Sequence, residues 1–348
     1  MKEGAKESQK TGLVLSVILP VFNVEAYLER CIRSLEDQDV PKNSYEIIVV
    51  NDGSPDNSRE VVLKLMKEFN NIVFIEQENK GVSLARNAGI DKAQGRYLLF
   101  VDPDDYVFPQ SFGSVINKAI ESDAEVAFLG YNFLDVNGTC VAEILHLQLK
   151  GATYSGIDAY FLSRGDGKTD PDRSVAILYE RNFMDRNSLR YVSKIPYLED
   201  GEFIARVFCV AKSCIFTGIQ FYLRTTRPGS ATNSDLFYQD RAVQGFERAV
   251  LNLVNFRSHP GHTHNQRIFL NQPICKFFTL VLIPSCRIFK YGRFRSSVKR
   301  LREIGFNRVD TEGCNNYYKL EGFLYNTAPF FFYLHRVLHA PLLKLINP

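Results

Sequence analysis

Residues 97–106 read Tyr-Leu-Leu-Phe-Val-Asp-Pro-Asp-Asp-Tyr. The first five residues of this stretch are typical of a buried strand, and three carboxylates follow where that strand should end. These carboxylates belong to Asp102, Asp104 and Asp105. Burying so much like charge without a cation is costly, and such oxygen ligands suit Mg²⁺ or Mn²⁺, which bind carboxylates together with substrate phosphates. Taken alone, the acids are explained equally well by a solvated turn.

Strand and helix patterns alternate on the N-terminal side of this stretch. They predict a strand over 13–20, a helix over 25–35, a strand over 45–50, a helix and a strand within 58–75, and a helix over 82–93. Such alternation predicts right-handed crossovers, and therefore an α/β fold with a mostly parallel central sheet flanked by helices. Ligands of such sheets bind beyond the carboxyl ends of the strands, so we expect Asp52 to share one edge with the acidic triplet. Asn23 is the predicted N-cap of the first helix.

The patterns that follow the triplet are weaker. They predict a helix over 112–122, a strand over 125–131, a loop or small hairpin region over 135–175, a helix around Arg181, a helix over 202–211, a strand over 215–222 and helices from 238 onward. We divide the chain into a disordered lead-in over 1–12, an α/β domain over 13–235 and a basic, aromatic-rich helical region over 236–348.

Charge is distributed unevenly along the chain. Residues 236–348 carry 16 Lys and Arg against 6 Asp and Glu, a net charge of +10, which leaves −7 for residues 1–235 out of the total of +3. The basic region predicts an anionic partner. Seven cysteines without any C-x-x-C pair predict reduced, buried thiols and a cytoplasmic setting.

Four segments together resemble the inverting family 2 glycosyltransferases of the GT-A fold, which contain a Rossmann-like nucleotide-binding half. They read Ser-Val-Ile-Leu-Pro-Val-Phe-Asn at 16–23, Ile-Val-Val-Asn-Asp-Gly-Ser at 48–54, Asn-Lys-Gly-Val-Ser-Leu-Ala-Arg-Asn-Ala-Gly at 79–89 and Phe-Val-Asp-Pro-Asp-Asp at 100–105. Their order and spacing also match, across roughly residues 13–235. Asn51 departs from the family pattern, which usually has a second aspartate there.

The resemblance implies transfer of a sugar, of the hexosyl type, from a nucleotide-sugar donor, commonly a UDP-sugar, to an acceptor hydroxyl. For the nucleotide, the resemblance implies that Pro20, Phe22 and Glu25 line the nucleoside pocket, that Asp52 binds uracil, and that Arg86 and Lys80 lie near the nucleotide. For the acidic triplet, it implies that Asp102 approaches the ribose or the metal, that Asp104 binds Mn²⁺ or Mg²⁺, and that Asp105 supports the sugar-side pocket. It further implies that Asp200 is the catalytic base and that Arg227 and Ser230 belong to a loop over the diphosphate.

Four of these assignments have a structural alternative. Asp52 could instead cap a helix, Arg86 could lie on a solvated helix face, and the Glu199–Asp200 pair could be an acidic helix N-terminus. The segment that holds Arg227 and Ser230 could be an ordinary loop.

The basic region contains two apolar blocks, at 274–283 and 330–334. Pro284 and Pro329 interrupt them, so we predict no membrane-spanning helix, and instead expect helices that lie on the anionic inner face of the membrane, where a glycan or lipid-linked acceptor would be available. Simple packing of these aromatic residues against the catalytic domain explains the blocks equally well. Three histidines, His259, His262 and His264, form a polar loop rather than a metal site, because a proline and a glycine separate them.

The sequence therefore predicts a glycosyltransferase of cell-surface polysaccharide biosynthesis, with no nucleic-acid partner. A sugar nucleotidyltransferase is the closest rival, but such enzymes have a Gly-rich phosphate loop after the first strand, which is absent here. No G-x-G-x-x-G follows an early strand, which excludes a dehydrogenase. A catalytically inactive protein that binds nucleotide sugars is the remaining alternative.

Overall fold

The computed structural model describes residues 12–164, 172–226, 239–287 and 291–346. The chain divides into two compact units: one contains the residues up to 193 together with 210–228, and the other contains 194–209 and the residues from 229 onward. Residues 194–209 thus belong with the C-terminal helices, although the sequence division places them in the α/β domain.

Within the described residues, the first unit holds a mixed sheet of ten strands. Their bounds are β1 Leu15–Val21, β2 Tyr45–Asp52, β3 Ile72–Gln77, β4 Tyr97–Phe100, β5 Tyr106–Val107, β6 Val126–Leu134, β7 Cys140–Ile144, β8 Thr153–Tyr154, β9 Ile177–Glu180 and β10 Cys214–Thr225. The strand order is β3-β2-β1-β4-β9-β6-β10-β5, with β7 paired to β6 and β8 paired to β10.

The sheet confirms the predicted α/β class, with a parallel N-terminal half. Strands β1 to β4 are mutually parallel, with β1 between β2 and β4. Beyond β4 the sheet becomes mixed, because β9 runs antiparallel to both β4 and β6. Since β2 and β4 both run parallel to β1, Asp52 and the acidic triplet emerge at the same edge of the sheet, as the alternating pattern predicts.

Helices cover both faces of this parallel half. The helices of the first unit are α1 Glu25–Glu36, α2 Ser58–Leu65, α3 Val82–Lys92, α4 Phe112–Glu121, α5 Gly156–Leu162 and α6 Arg181–Arg186. Leu15, Val17 and Leu19 of β1 pack in one apolar core with α1, α2 and α4. Ile18 points to the opposite face, towards α3, where a Cβ added to Gly89 would lie 2.4 Å from Ile18 Cγ2. Glycine at this position therefore lets α3 approach the sheet closely.

The start of α1 differs from the sequence prediction. The N-cap residue is Val24, without a side-chain hydrogen bond, and Asn23 has a left-handed φ of 54°. The prediction that Asn23 is the N-cap is therefore wrong. The backbone N–H of Glu25 donates instead to Asp56 Oδ2, at 2.8 Å, so a distant loop supplies the acceptor.

The region predicted as a loop or small hairpin over 135–175 contains more regular structure than expected. It includes the hairpin partner β7, the short strand β8 and helix α5, whose N-cap Ser155 accepts a hydrogen bond from the Asp158 N–H. Residues 165–171 of this region lie outside the described residues.

The described part of the second unit is helical. Its helices are α7 Glu199–Val210, α8 Asp240–Arg257, α9 His264–Arg287, α10 Tyr291–Glu303, α11 Asn316–Thr327 and α12 Pro329–Ile346. Aromatic rings fill its interior, as where Phe278 and Tyr325 meet edge to face with centroids 4.7 Å apart.

Helix α9 continues through Pro273 and Pro284, so the prediction that Pro284 ends the apolar block is wrong. Proline removes a helical hydrogen bond, but Phe277, Val281 and Leu282 are fully buried, and this burial offsets the cost. By length and composition, the segment His264–Cys286 is the one described helix that could cross a membrane. Since 72% of its apolar window is buried inside the protein, it has the features of a core helix.

Candidate active site

Asp52, at the end of β2, fixes the turn that leads into α3. Its Oδ1 accepts hydrogen bonds from the Lys80 N–H at 2.8 Å and from Gln77 Nε2 at 2.7 Å. Its Oδ2 accepts the Gly81 N–H at 2.8 Å. Gly81 has φ of 87°, a left-handed conformation that favours glycine. Asp52 therefore binds backbone N–H groups just before a helix, as the capping alternative describes in part. That helix is α3, whereas the alternative referred to the helix that follows β2.

The loops that follow β1 and β2 are tied together. Ser54 Oγ accepts the Asn23 N–H at 3.3 Å, and the Ser54 N–H donates to Asn51 Oδ1 at 3.1 Å. Asparagine therefore serves as the acceptor in this turn although the family usually has aspartate at position 51. The carboxylate of Glu25 accepts hydrogen bonds from Asn57 Nδ2, at 3.0 and 3.1 Å, so it closes the same loop.

The three residues predicted to line the nucleoside pocket differ in exposure. Pro20 is buried within β1, and the Glu25 carboxylate is engaged by Asn57. Phe22 is 46% exposed, so its ring is accessible at the edge of the sheet. Of these three, Phe22 is the side chain that offers a free apolar surface there.

Arg86 of α3 is buried and contacts the acidic triplet. Its Nη2 lies 3.1 Å from Asp102 Oδ1, and its guanidinium lies over the Tyr191 ring, 5.1 Å from the centroid. The neighbouring Asn87 binds the backbone of Tyr191 through both its amide oxygen and its amide nitrogen, at 2.8 and 2.9 Å. With only 3% of Arg86 exposed, a solvated helix face is excluded.

Asp105 points into the protein and anchors the acidic turn to β10. Its Oδ2 accepts the Tyr222 hydroxyl at 2.7 Å, and its Oδ1 accepts the Thr225 N–H at 2.7 Å. Burial, and then the negative charges of Asp102 and Asp104, raise the pKa of Asp105 to about 8. The Tyr222 hydroxyl also accepts the Asp102 N–H at 3.1 Å, so one side chain holds two members of the triplet.

The backbone of Asp104 is held from two further elements. Its carbonyl accepts Arg30 Nη2 and Thr225 Oγ1, both at 2.8 Å. Arg30 also lies over the Tyr106 ring, 4.4 Å from the centroid. The turn is thus fixed by α1 on one side and by β10 on the other, which presets where the Asp102 and Asp104 side chains lie.

Sequence reasoning missed Arg30, Tyr191, Tyr222 and Thr225. Tyr222 and Thr225 lie well over a hundred residues from the triplet, and no local spacing connects them to it. Arg30 lies on the polar side of α1 and reads as an ordinary surface residue. The one available signal was that a cluster of acids needs nearby donors and cations.

The remaining predicted residues have different outcomes. Glu199 and Asp200 lie in the first turn of α7 in the second unit, as the acidic N-terminus alternative describes, and the role of Asp200 as base stays a prediction. Arg227 and Ser230 lie outside the described residues. His259 and His262 approach each other, with ring centroids 5.3 Å apart.

The fit of a divalent cation rests on the two outer acids of the triplet. Over the described ranges, no three or more His, Cys, Asp or Glu side chains are grouped to hold a metal ion. The Asp102 and Asp104 side chains are partly exposed, and beside them burial and their negative charges raise the pKa of Asp105. Two carboxylates match the donor set with which Mg²⁺ or Mn²⁺ binds when substrate phosphates complete the coordination.

Comparison with known proteins places these residues in a family context. The model of glycosyl transferase family 2 matches residues 16–140. The glycosyltransferase GlyA of Streptococcus pneumoniae serotype 4 is 31% identical over 224 residues, which cover 62% of this chain and 31% of GlyA. The uncharacterized glycosyltransferase EpsJ of Bacillus subtilis is 28% identical over 275 residues, 76% of this chain and 75% of EpsJ.

Further similarities concern a poly(ribitol-phosphate) beta-glucosyltransferase and a solved structure. The poly(ribitol-phosphate) beta-glucosyltransferase of Bacillus spizizenii is 28% identical over 62% of this chain and 33% of its own length. This chain therefore spans about a third of GlyA and of that enzyme. The crystal structure of Staphylococcus aureus TarS 1–349 in complex with UDP-GlcNAc has a TM-score of 0.57 and 20% identity, over 86% of this chain and 94% of TarS 1–349. This similarity shows that the two proteins share a fold.

Proposed function

We propose that this chain, whose residues 16–140 match the model of glycosyl transferase family 2, is an inverting glycosyltransferase. It moves a sugar from a nucleotide-sugar donor, a UDP-sugar, to an acceptor hydroxyl in the synthesis of a cell-surface polysaccharide. The observation that carries the proposal is the continuous link along one sheet edge: Asp52 holds the turn before α3, and Arg86 of α3 holds Asp102.

The nucleoside binds at the Asp52 end of this edge. A carboxylate has about four acceptor positions, and hydrogen bonds from Gln77, Lys80 and Gly81 use three of them, so one remains for a uracil N–H. The exposed ring of Phe22 provides an apolar surface near the loop after β1. The UDP and UDP-GlcNAc complexes of TarS support a uridine donor.

The diphosphate binds at the other end. Asp102 and Asp104 would hold Mn²⁺ or Mg²⁺, which when bound neutralises charge that grows on the leaving diphosphate. Arg86 keeps the Asp102 carboxylate in place, and Asp105 with Tyr222 supports the turn from below. Because the turn is preset, the donor does not have to order it on binding.

The family resemblance assigns Asp200 as the base that removes the proton from the acceptor hydroxyl as that oxygen attacks the anomeric carbon, and it assigns Arg227 and Ser230, outside the described residues, to diphosphate binding. The products are the glycosylated acceptor with inverted configuration and the nucleoside diphosphate. The acceptor is a growing glycan, free or lipid-linked, on the cytoplasmic side of the membrane. Similarity to the poly(ribitol-phosphate) beta-glucosyltransferase, and to the minor teichoic acid biosynthesis protein GgaB of Bacillus subtilis at 42% identity over 32% of this chain and 12% of GgaB, supports this class of acceptor.

The reaction products separate the candidate functions. Incubation with a UDP-sugar, Mn²⁺ and an extract of lipid-linked glycans should release UDP. A sugar nucleotidyltransferase would instead consume or release pyrophosphate, and an inactive binding protein would release neither. Asp104→Asn should abolish UDP release, whereas Asp123→Asn, at an exposed position paired with Arg96, should leave it unchanged. Pyrophosphate turnover, or full activity in Asp104→Asn, would overturn the proposal.

A further inference from the structure

Helices α11 and α12 of the second unit turn apolar side chains towards solvent. In α11, Leu320 is 46% exposed and Phe323 is 65% exposed. In α12, Phe331 and Leu334 are exposed and Leu338 is 59% exposed, and these three positions follow one another at helical spacing. The two helices pack against each other, and we call these five exposed side chains the apolar patch. So many large apolar side chains are uncommon on a surface that contacts only water.

An acid and two basic residues of the same two helices meet in the interior, whereas Lys319 of α11 is exposed beside Leu320. Glu321 of α11 is only 2% exposed, and burial raises its pKa. Its Oε1 lies 3.4 Å from His335 Nδ1 and 3.6 Å from Arg336 Nη1, both of α12. The pair of helices therefore departs from the usual amphipathic arrangement, because Glu321, His335 and Arg336 lie inside while five large apolar side chains are exposed.

A basic stripe continues from this patch. Tyr291, at the start of α10, contacts Phe330 of α12 edge to face, with ring centroids 5.8 Å apart. Arg295, Lys299 and Arg302 follow Tyr291 on the same side of α10, at four, eight and eleven residues, and all three are exposed. Lys299 pairs with Glu303, 3.9 Å away at the end of the helix.

We infer that this surface, formed by the exposed faces of α11 and α12 and the basic stripe of α10, docks on an anionic lipid leaflet. The apolar side chains enter the boundary between headgroups and acyl chains, and the basic stripe contacts the phosphate groups of the headgroups. Charge complementarity selects a lipid surface as the occupant, since residues 236–348 carry a net charge of +10. The inference goes beyond the proposed transfer reaction and needs no donor to be bound.

The structure changes which residues the basic region uses. The sequence predicts the blocks 274–283 and 330–334 as the contacts, but Phe277 in the first is fully buried, and Phe332 in the second is fully buried and stacks on Phe294 of α10. The exposed residues of α11 were not expected at all, because Leu320 and Phe323 flank the charged Glu321 in the sequence. Because the Glu321 side chain points inward, its neighbours Leu320 and Phe323 are exposed, and the sequence alone does not show this.

A single tryptophan reports directly on this surface, since the chain contains none. In Phe323→Trp, vesicles of phosphatidylglycerol and phosphatidylcholine should shift the emission to the blue, and brominated acyl chains should quench it. The matched control is Val136→Trp in the first unit, which is 67% exposed between β6 and β7 and should show neither change.

Co-sedimentation with the same vesicles measures the contribution of each part. The double variant Phe323→Asn, Phe331→Asn should bind at least tenfold more weakly, whereas the control Val136→Asn, Val141→Asn, also at exposed positions, should bind like the parent chain. The triple variant Arg295→Gln, Lys299→Gln, Arg302→Gln should lose the preference for anionic over zwitterionic vesicles. At about 1 M salt, where the Debye length is about 3 Å, the parent should lose that preference too.

Two results would overturn the inference. One is an emission spectrum of Phe323→Trp that anionic vesicles leave unchanged, with equal sedimentation of the parent and the double variant. The other is a dimer of the parent chain in light scattering that the double variant converts to a monomer, with no vesicle binding by either, since a second copy would then occupy the surface. Because neither readout involves sugar transfer, failure here and failure of the proposed reaction are distinguishable.

Discussion

Arg86 of α3 and Asp102 after β4 form an ion pair, with 3.1 Å between Nη2 and Oδ1. The arginine is almost wholly buried, and the aspartate is partly exposed at the edge of the sheet. Since Asp52 holds the turn just before α3, the pair couples two strand ends through one helix. A glycine at position 89 makes this possible, because it lets α3 lie close to β1.

Arg86→Lys should weaken both the fold and the proposed activity. A lysine keeps the charge but cannot both cover the Tyr191 ring and present a planar donor to Asp102. We expect a loss of about 1–3 kcal/mol in the free energy of unfolding, measured by urea denaturation, and a lower kcat/KM. The matched control is Arg59→Lys, an exposed residue paired with Glu76, which should change neither quantity. Equal effects of the two substitutions would contradict the role given to Arg86.

Tyr222→Phe should destabilise the acidic turn. It removes the donor to the buried Asp105 Oδ2 and the acceptor for the Asp102 N–H, so two polar groups lose a partner. We expect a decrease of about 1–3 kcal/mol in the free energy of unfolding. Tyr154→Phe loses one longer hydrogen bond, of 3.3 Å, to the Leu149 carbonyl and should cost less. A Tyr222→Phe variant as stable as the parent would show that the hydroxyl does not hold the turn.

The buried ion pair within α7 should dominate the stability of the second unit. Glu202 is fully buried and accepts two hydrogen bonds from Arg206, at 2.7 and 2.8 Å. Arg206→Met leaves a buried carboxylate without its cation, which should cost about 3–5 kcal/mol. The double variant Glu202→Leu, Arg206→Met should be more stable than the single variant. A double variant that is less stable than Arg206→Met would contradict this assignment.

Acid should destabilise the fold through His146. Burial, and then the positive charge of Arg173, lower the pKa of His146 from 6.5 to about 4. Between these two values the unfolded chain binds a proton that the folded chain does not. Stability is therefore full above pH 6.5 and declines as the pH falls towards 4.

His146→Asn should flatten this part of the profile of Tm against pH. Asparagine also suits the left-handed φ of 51° at this position. His264→Asn, at an exposed position, is the control and should leave the slope unchanged. A slope that persists in His146→Asn would assign the acid sensitivity to another group.

The parallel half of the fold could be predicted because its signal is local. Each strand of β1 to β4 is a short apolar run, and the helices between them show one apolar face, so the crossover rule places Asp52 and Asp102 at one edge. Nothing local indicates that β9 inserts antiparallel beside β4, because pairing partners of a strand are decided by packing.

The supports of the site escaped prediction for the same reason. Tyr222 and Thr225 reach the triplet because their strand β10 pairs with β5, the short strand that directly follows the triplet. The predictions that Asn23 caps α1 and that Pro284 ends the apolar block are wrong because local preferences are weaker than tertiary contacts. At α1 the contact is the hydrogen bond from the Glu25 N–H to Asp56. At α9 it is the burial of the helix.

The measurement that tests the central claim most directly is the Tm of the chain with a panel of nucleotide sugars, with and without Mn²⁺. UDP-sugars at about 100 times their Kd should stabilise the protein by about 2.7 kcal/mol. We predict that Asp104→Asn loses the part that depends on Mn²⁺ and that Asp52→Asn loses the preference for uridine. Equal stabilisation by GDP-, CMP- and UDP-sugars, or an Mn²⁺ effect unchanged in Asp104→Asn, would contradict the claim that these acids hold the donor.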